Sequence, residues 1–350
     1  MKITQLCTNV FLGKILARIG RYKNLYSIIT LSLKEQLGYM PNEKQIYWCL
    51  GDYYKFKKIY GGSIDVDYFG TQMYRKSDFV RRDSFANNSR FKWRDDIQEQ
   101  RLKMIFEDKR LFYKSFSNWL NRNWMIVDED TTFDKFKEFV KDLKNEVVVK
   151  VPDGYGGKGV EFHKLTNDRA LRDLYELCYK KQLIVEEKIA QCEELKVFSP
   201  LSVNTFRIVT IIDTCGKAHV ARAVLRIGRG SSGLDNFSSG GMGAQVDVKT
   251  GVIYTTAMDK AGHEYIFHPE TGKQIVGYKI EDWDEYKNFV LELAMQYPTV
   301  RYVGWDVVKD VTGKYCVIEG NGDAGFDVME APLLYGLKPQ YNALLKGIEL

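Results

Sequence analysis

The segment Val303 to Asn321, VGWDVVKDVTGKYCVIEGN, constrains the fold more than any other part of the chain. Two runs rich in β-branched and aromatic residues flank a Thr-Gly pair, the pattern of an antiparallel hairpin. With Thr312 and Gly313 as a two-residue turn, Val308 faces Val317 and Asp306 faces Glu319. Side chains alternate along a strand, so Asn321 projects from the same face as Glu319. The apolar residues before each carboxylate mark buried strands, where opposed like charges are unfavourable. A raised pKa or a bound cation relieves that repulsion. Two carboxylates and an amide form an oxygen-only set that suits Mg²⁺, which keeps its other positions for water and substrate phosphate. A solvated polar edge is the alternative.

A second hairpin surrounds DGYGGKG, Asp153 to Gly159. Its glycines spell G-x-G-x-x-G, but a dinucleotide-binding fingerprint needs a helix after them. VEFHKL alternates and reads as a strand, as does EVVVKV on the other side. A P-loop fails too, because Gly159 follows Lys158 where a Ser or Thr is required. What remains is a glycine-rich hairpin whose amides and Lys158 can fold over a polyphosphate, with Lys150 on the strand leading in. An ordinary exposed turn would look similar.

At 350 residues, with 45% hydrophobic content, the chain has room for about two domains and a sizeable core. Lys plus Arg exceed Asp plus Glu by only 51 to 46, too small an excess for a nucleic-acid footprint. Anionic small molecules are the more natural partners. The six cysteines show no C-x-x-C, so neither zinc nor a disulfide framework is indicated and a reducing cytoplasm fits best. No apolar run approaches the roughly 18 residues of a membrane span. Lys14 and Arg18 interrupt the N-terminal segment as a signal peptide. Phe11, Leu12, Ile15, Leu16 and Ile19 nevertheless share a helical face, which either packs on its own domain or rests on an anionic membrane surface as a peripheral contact.

Three regions follow from the patterning. Residues 1–105 read as helical and aromatic, and the run holding Arg75, Lys76, Arg81 and Arg82 either holds an anionic substrate or forms a solvated basic face. Residues 106–192 read as α+β: a helix with Lys109, a strand at WMIVDE, a helix capped by Thr131 or Thr132, the glycine hairpin, a helix from Asp168, and the strand LIVEEKI. Residues 193–350 carry long strands at 203–212, 218–227 and 244–248, read as mixed or antiparallel sheet with helices on one side. On these strands Arg207 shares a face with Thr205 and Val209, and Arg222 shares one with Arg226. Such arginines brace a transferring phosphoryl group, hold a carboxylate, or form structural ion pairs. In the Gly- and Ser-rich loop 228–243, Arg229, Asp235 and Asn236 offer polar reach toward a substrate.

Taken in order, these motifs resemble the ATP-grasp superfamily over roughly residues 100 to 330, and LSVNTFRIVT, LDNFSSGGMGAQVDVKTG and VIEGN resemble its sugar-transfer-associated branch. The resemblance implies a nucleotide clamped between two α+β subdomains. Lys109 and Lys150 would bind phosphates, with Lys158 beside them, and the Gly156 and Gly157 loop would close over them. Glu187, Lys188 and Ile189 would meet the adenine. Glu194 would bind the ribose, with Glu193 as a rival, and Arg207 or Arg226 would stabilise the transferring phosphoryl group. Asp306, Glu319 and Asn321 would hold Mg²⁺. The activity implied is ATP-dependent joining of an amine or amino acid to a carboxylate through an acyl phosphate, in glycan biosynthesis. A small-molecule or sugar kinase and a nucleotide-binding module without turnover are the alternatives.

Overall fold

Side-chain alternation along four short strands decides how the smaller of two sheets is used. The computed structural model describes residues 3–85, 88–144, 146–154, 159–230, 235, 237 and 240–348. Strands β1 (Trp124–Ile126), β2 (Glu146–Lys150), β3 (Val160–Lys164) and β4 (Ile184–Glu187) pair antiparallel in the order β1-β4-β2-β3. Val147 and Val149 of β2 and Val185 of β4 enter one core with Phe136, Val140, Leu171 and Leu174. Those partners lie on the helices Phe133–Asp142 and Asp168–Lys181. Thr132, not Thr131, caps the first, and Asn167 caps the second. The alternate residues Val148, Lys150 and Glu186 are thereby turned to the opposite face.

The larger sheet holds β5 (Thr205–Ile212), β6 (Ala218–Ile227), β7 (Met242–Val246), β8 (Ala257–Asp259), β9 (Glu264–Tyr265), β10 (Tyr302–Lys309) and β11 (Tyr315–Asn321). It is antiparallel throughout, in the order β11-β10-β5-β6-β7-β8-β9. Helices were expected on one side only, but both faces are covered. Phe206, Ile208, Leu225 and Trp305 pack with Trp283, Tyr286 and Val290 of the helix Trp283–Ala294. On the reverse, Val209, Ile211, Val224 and Tyr302 pack with Phe85, Phe326 and Tyr341. The reason is in the strands, since β5 and β6 are apolar on both faces over most of their length.

The C-terminal hairpin departs from its expected register and then returns to it. Asp310 and Lys314 pair across the turn, and Gly313 takes the left-handed φ of +84°, so the loop has three residues rather than two. Val308 therefore faces Cys316, not Val317. A bulge in β11 at Ile318 absorbs the extra residue, and Asp306 faces Glu319 as the sequence predicts.

The N-terminal helices Ile3–Ala17, Lys23–Leu37 and Glu43–Tyr60 form their own aromatic core. Its polar centre is Asp52, which takes two hydrogen bonds from Arg81, at 3.1 and 2.6 Å, and one from Tyr68. Lys76 is also buried and donates to the Glu330 carbonyl at 2.6 Å. The basic run 75–82 is therefore divided: Arg81 and Lys76 hold the fold together, while Arg75 and Arg82 are exposed. Among the described residues no helix is long and apolar enough to cross a membrane.

Candidate active site

The two sheets face one another across a cleft lined by Lys109, Lys150, Phe162, Glu186, Arg226 and Glu319, with Asp235 and Asp306. Each side chain arrives there for a local reason. Asp108 ends the helix Gln100–Glu107 and caps the helix Lys109–Ser115, so Lys109 sits at a helix start and not within one long helix. Its backbone amide donates to the Pro152 carbonyl at 2.9 Å, and its Nζ donates to the Gly154 carbonyl. The same Nζ lies 3.6 Å from Glu319 Oε1. One lysine thus touches both the first leg of the glycine hairpin and the carboxylate at the end of β11. Gly156, Gly157 and Lys158, and Asn236 of the second loop, lie outside the described residues.

Lys150 is buried and held by a network that the sequence did not disclose. Its Nζ pairs with Glu186 Oε1 at 2.6 Å and donates to the Tyr113 hydroxyl at 3.0 Å. Glu186 also accepts from Tyr113 and, at 2.8 Å, from Arg122. Arg122 reaches on to the Val317 carbonyl at 2.8 Å, which ties the small sheet to β11. Burial opposes ionisation of Glu186, but Arg122 and Lys150 more than offset it and hold the carboxyl down to about 2. Burial likewise works against the charge on Lys150, and the charges of Glu186 and Tyr113 outweigh it, raising its pKa. The lysine is a fixed cation.

On the large sheet Asp306 is the hub. Arg207 grips it through Nε and, at 2.9 Å, through Nη2, while Arg226 Nη1 donates at 2.7 Å. Arg226 Nη2 donates to Asp235 at 3.0 Å, and Asp235 accepts from the Thr205 amide at 2.9 Å and from its hydroxyl. Burial disfavours the Asp306 charge, yet the two guanidinium groups hold its pKa below the ordinary range. For Asp235 burial wins and its pKa is raised, with Arg226 only partly compensating. Arg207 braces Asp306 without lining the cleft, whereas Arg226, Asp235, Asp306 and Glu319 all line it.

Glu319 is directly opposite Asp306 but is differently placed, with 25% of its side chain exposed toward the cleft. Asn321 sits opposite Gly304 and its Nδ2 approaches that carbonyl at 3.5 Å. The donor chemistry fits Mg²⁺: Glu319 is open to the cleft, and Asp306, with three of about four lone-pair sites engaged by its arginines, keeps one more. Among the described residues no three His, Cys, Asp or Glu side chains gather into a metal cage. A cation here would therefore complete its shell with the Asn321 amide, water and phosphate oxygens.

A cavity of about 660 Å³ adjoins the cleft and shares Phe162, Lys188, Ile189 and Val203 with it. That volume lies within the roughly 300–1,000 Å³ of small-molecule sites. Lys188 Nζ lies 5.8 Å from the Phe162 ring centroid, and Glu187 lines the cavity while bonding the Asn123 amide at 3.2 Å. Two expected site residues are placed elsewhere. Glu194 accepts from the Glu281 amide at 2.6 Å, ahead of the helix Trp283–Ala294, and lines neither space. Its rival Glu193 pairs with Lys196 at 2.9 Å. Arg229 binds the Tyr265 hydroxyl and the Gly240 carbonyl, both at 2.8 Å, away from the cleft.

Comparison with known proteins closes the assignment. A search of curated proteins finds no match. Solved structures resembling the fold include the ATP-grasp ligase PsnB complexed with a phosphomimetic variant of its minimal precursor, Mg and ADP, at 14% identity and a TM-score of 0.44, covering 74% of this chain and 66% of that one. The ADP complex of the N5-carboxyaminoimidazole ribonucleotide synthetase purK gives 11% identity and a TM-score of 0.47, with 74% and 57% covered. The N5-carboxyaminoimidazole synthetase from Staphylococcus aureus, complexed with ADP, gives 10% and 0.42, with 70% and 52% covered. The chain thus spans less than two-thirds of each of these proteins. The sequence profile described as sugar-transfer associated ATP-grasp matches residues 88–345. That match takes in both sheets and every residue of the cleft, and the chain belongs to the sugar-transfer associated ATP-grasp family.

Proposed function

We propose that the protein is an ATP- and Mg²⁺-dependent carboxylate-amine ligase acting on a carboxylate carried by a sugar or glycan. The observation that carries this reading is the 3.6 Å approach of Lys109 Nζ to Glu319 Oε1. It brings a candidate phosphate-binding cation and a candidate metal ligand to one point of the cleft. Lys150, fixed by Glu186, would meet the phosphates from the small sheet, and Arg226 from the large one. Phe162, Ile189 and Val203 give the adjoining cavity the apolar walls that a purine ring requires. Glu319, Asn321 and Asp306 would hold the cation, which supplies charge neutralisation for the phosphates when bound.

The chemistry then balances in two displacements. A substrate carboxylate oxygen attacks the γ-phosphorus of ATP, the bond to the bridging oxygen breaks, and ADP leaves. A neutral amine attacks the carbonyl carbon of the resulting acyl phosphate, the carbon–oxygen bond to phosphate breaks, and inorganic phosphate departs as the nitrogen gives up a proton to solvent or to the leaving phosphate and the amide forms. Arg226 is placed to stabilise negative charge on the transferring group, because its guanidinium is fixed by Asp306 and Asp235 and does not need to reorganise. The six cysteines are free thiols, which supports a reducing compartment.

The test is a trapping experiment with Mg-ATP and a pool of uronic-acid sugars. Hydroxylamine should yield a hydroxamate while ADP and inorganic phosphate accumulate in equal amounts. A stable phosphomonoester appearing in ³¹P spectra in step with ADP assigns a kinase instead. No ATP turnover with any acceptor, despite nucleotide binding, leaves a nucleotide-binding module.

A further inference from the structure

The helix Ile3–Ala17 is locked in one rotation about its axis. A Cβ at Gly13 would lie 1.8 Å from the Tyr47 carbonyl oxygen, and one at Gly51 would lie 2.1 Å from that of Asn9. Only glycines permit this approach to the helix Glu43–Tyr60. Asn9 adds a polar latch: its side chain is buried, donates to Asp52 at 3.1 Å, and accepts from Lys55 at 2.6 Å. Asn9, Gly13 and Leu16 therefore face inward.

The apolar face expected from the sequence is split by this packing. Leu12 and Leu16 join the core, while Phe11, Ile15 and Ile19 are left 68%, 44% and 40% exposed. Lys14 is exposed on the same side of the helix, whereas Arg18 and Ile19 lie past its end at Ala17, with Ile19 in extended backbone, so the helical face expected from the sequence stops short of Ile19. Scattered exposed apolar residues are ordinary, but Phe11 and Ile15 on the solvent side of a locked helix, with Ile19 just past its end and Lys14 and Arg18 among them, match a segment that lies in a membrane interface. The charge of the whole segment points the same way. Residues 1–34 contain six basic residues, Lys2, Lys14, Arg18, Arg21, Lys23 and Lys34, and the first acidic residue is Glu35.

We propose that this segment seats the protein on an anionic lipid bilayer. Phe11, Ile15 and Ile19 enter the headgroup boundary, and Lys14 and Arg18 pair with lipid phosphates. Charge complementarity decides the occupant, because a segment with no acidic residue is matched by a surface bearing many negative headgroups.

Flotation with vesicles tests this on the full chain. The protein should float with phosphatidylglycerol vesicles, not with phosphatidylcholine vesicles, and should be released by added NaCl. Lys14→Gln and Arg18→Gln should each weaken binding roughly fivefold. Phe11→Asp with Ile15→Asp should abolish it without changing the thermal melt followed by circular dichroism, since both residues are exposed. Wild-type protein that fails to float with phosphatidylglycerol vesicles overturns the proposal, as does a double aspartate variant that floats like wild type. A wild-type dimer in sedimentation velocity that the aspartates dissociate, with no vesicle binding, assigns the segment to self-contact and also overturns the proposal.

Discussion

Asp306 and Glu319 face each other across β10 and β11 yet keep different company: Asp306 is gripped by Arg207 and Arg226, while Glu319 leans toward Lys109 at 3.6 Å. The repulsion anticipated between opposed carboxylates is thus relieved by guanidinium groups, before any cation is considered. The two residues should respond differently to neutralisation. Asp306→Asn removes the charge that compensates two buried arginines and should cost about 3–5 kcal/mol in urea denaturation. Glu319→Gln, partly exposed, should cost less than about 1 kcal/mol while abolishing ATP turnover. Equal destabilisation by the two substitutions would contradict the separate roles assigned here.

Glu186 should leave a signature in the acid limb of stability. Its folded pKa is about 2 against an ordinary value of 4.5, so between those values the unfolded chain binds the proton and the folded chain does not. The contribution is therefore complete above about pH 4.5 and is lost as pH falls through about 2. Its size is on the order of 3 kcal/mol. Glu186→Gln should flatten this part of the pH profile and, at neutral pH, destabilise the fold by about 3–5 kcal/mol because Lys150 and Arg122 lose their shared partner. Urea midpoints of the two proteins from pH 2.5 to 6 provide the check; parallel curves would show that the carboxylate is not held ionised.

Both hairpins and the order of motifs were legible because they depend on local signals, namely alternation, turn glycines and β-branched runs. The Asp306–Glu319 pairing follows from the sequence because two departures offset one another. The loop is one residue longer than a two-residue turn, and the bulge at Ile318 takes that residue back. A bulge within an apolar strand leaves no local mark. The network around Lys150 was not legible for a different reason. Glu186 lies 73 residues from Tyr113 and 64 from Arg122, and alternation shows that Glu186 and Glu187 point apart without showing which one faces a lysine. In the N-terminal helix, periodicity found the apolar face, but only the fit of Gly13 against Tyr47 determines which half of it is buried.

Glu194 separates family expectation from geometry. Its carboxylate accepts from the Glu281 amide at 2.6 Å and is not on the wall of the nucleotide-sized cavity. Glu194→Ala should leave ATP affinity within about twofold, while lowering stability by about 0.5–1.5 kcal/mol through the lost hydrogen bond. A tenfold or greater loss of affinity in calorimetry would return Glu194 to the ribose role.

Arg226 is the residue in which the structural and catalytic accounts can be pulled apart. Its two terminal nitrogens serve different acids, Asp306 at 2.7 Å and Asp235 at 3.0 Å, and this fork orients the guanidinium toward the cleft. A lysine keeps the charge but is a point donor on a flexible stem, and it cannot satisfy both acids in one geometry. If the group acts chiefly where charge develops during phosphoryl transfer, Arg226→Lys should lower kcat at least ~10-fold and leave KM for ATP within about threefold. A rise in KM with kcat preserved points instead to uniform binding of nucleotide. Preservation of both, in a protein with the wild-type melting temperature, would remove Arg226 from the chemistry and leave it as the bracket that holds the loop bearing Asp235 against β6.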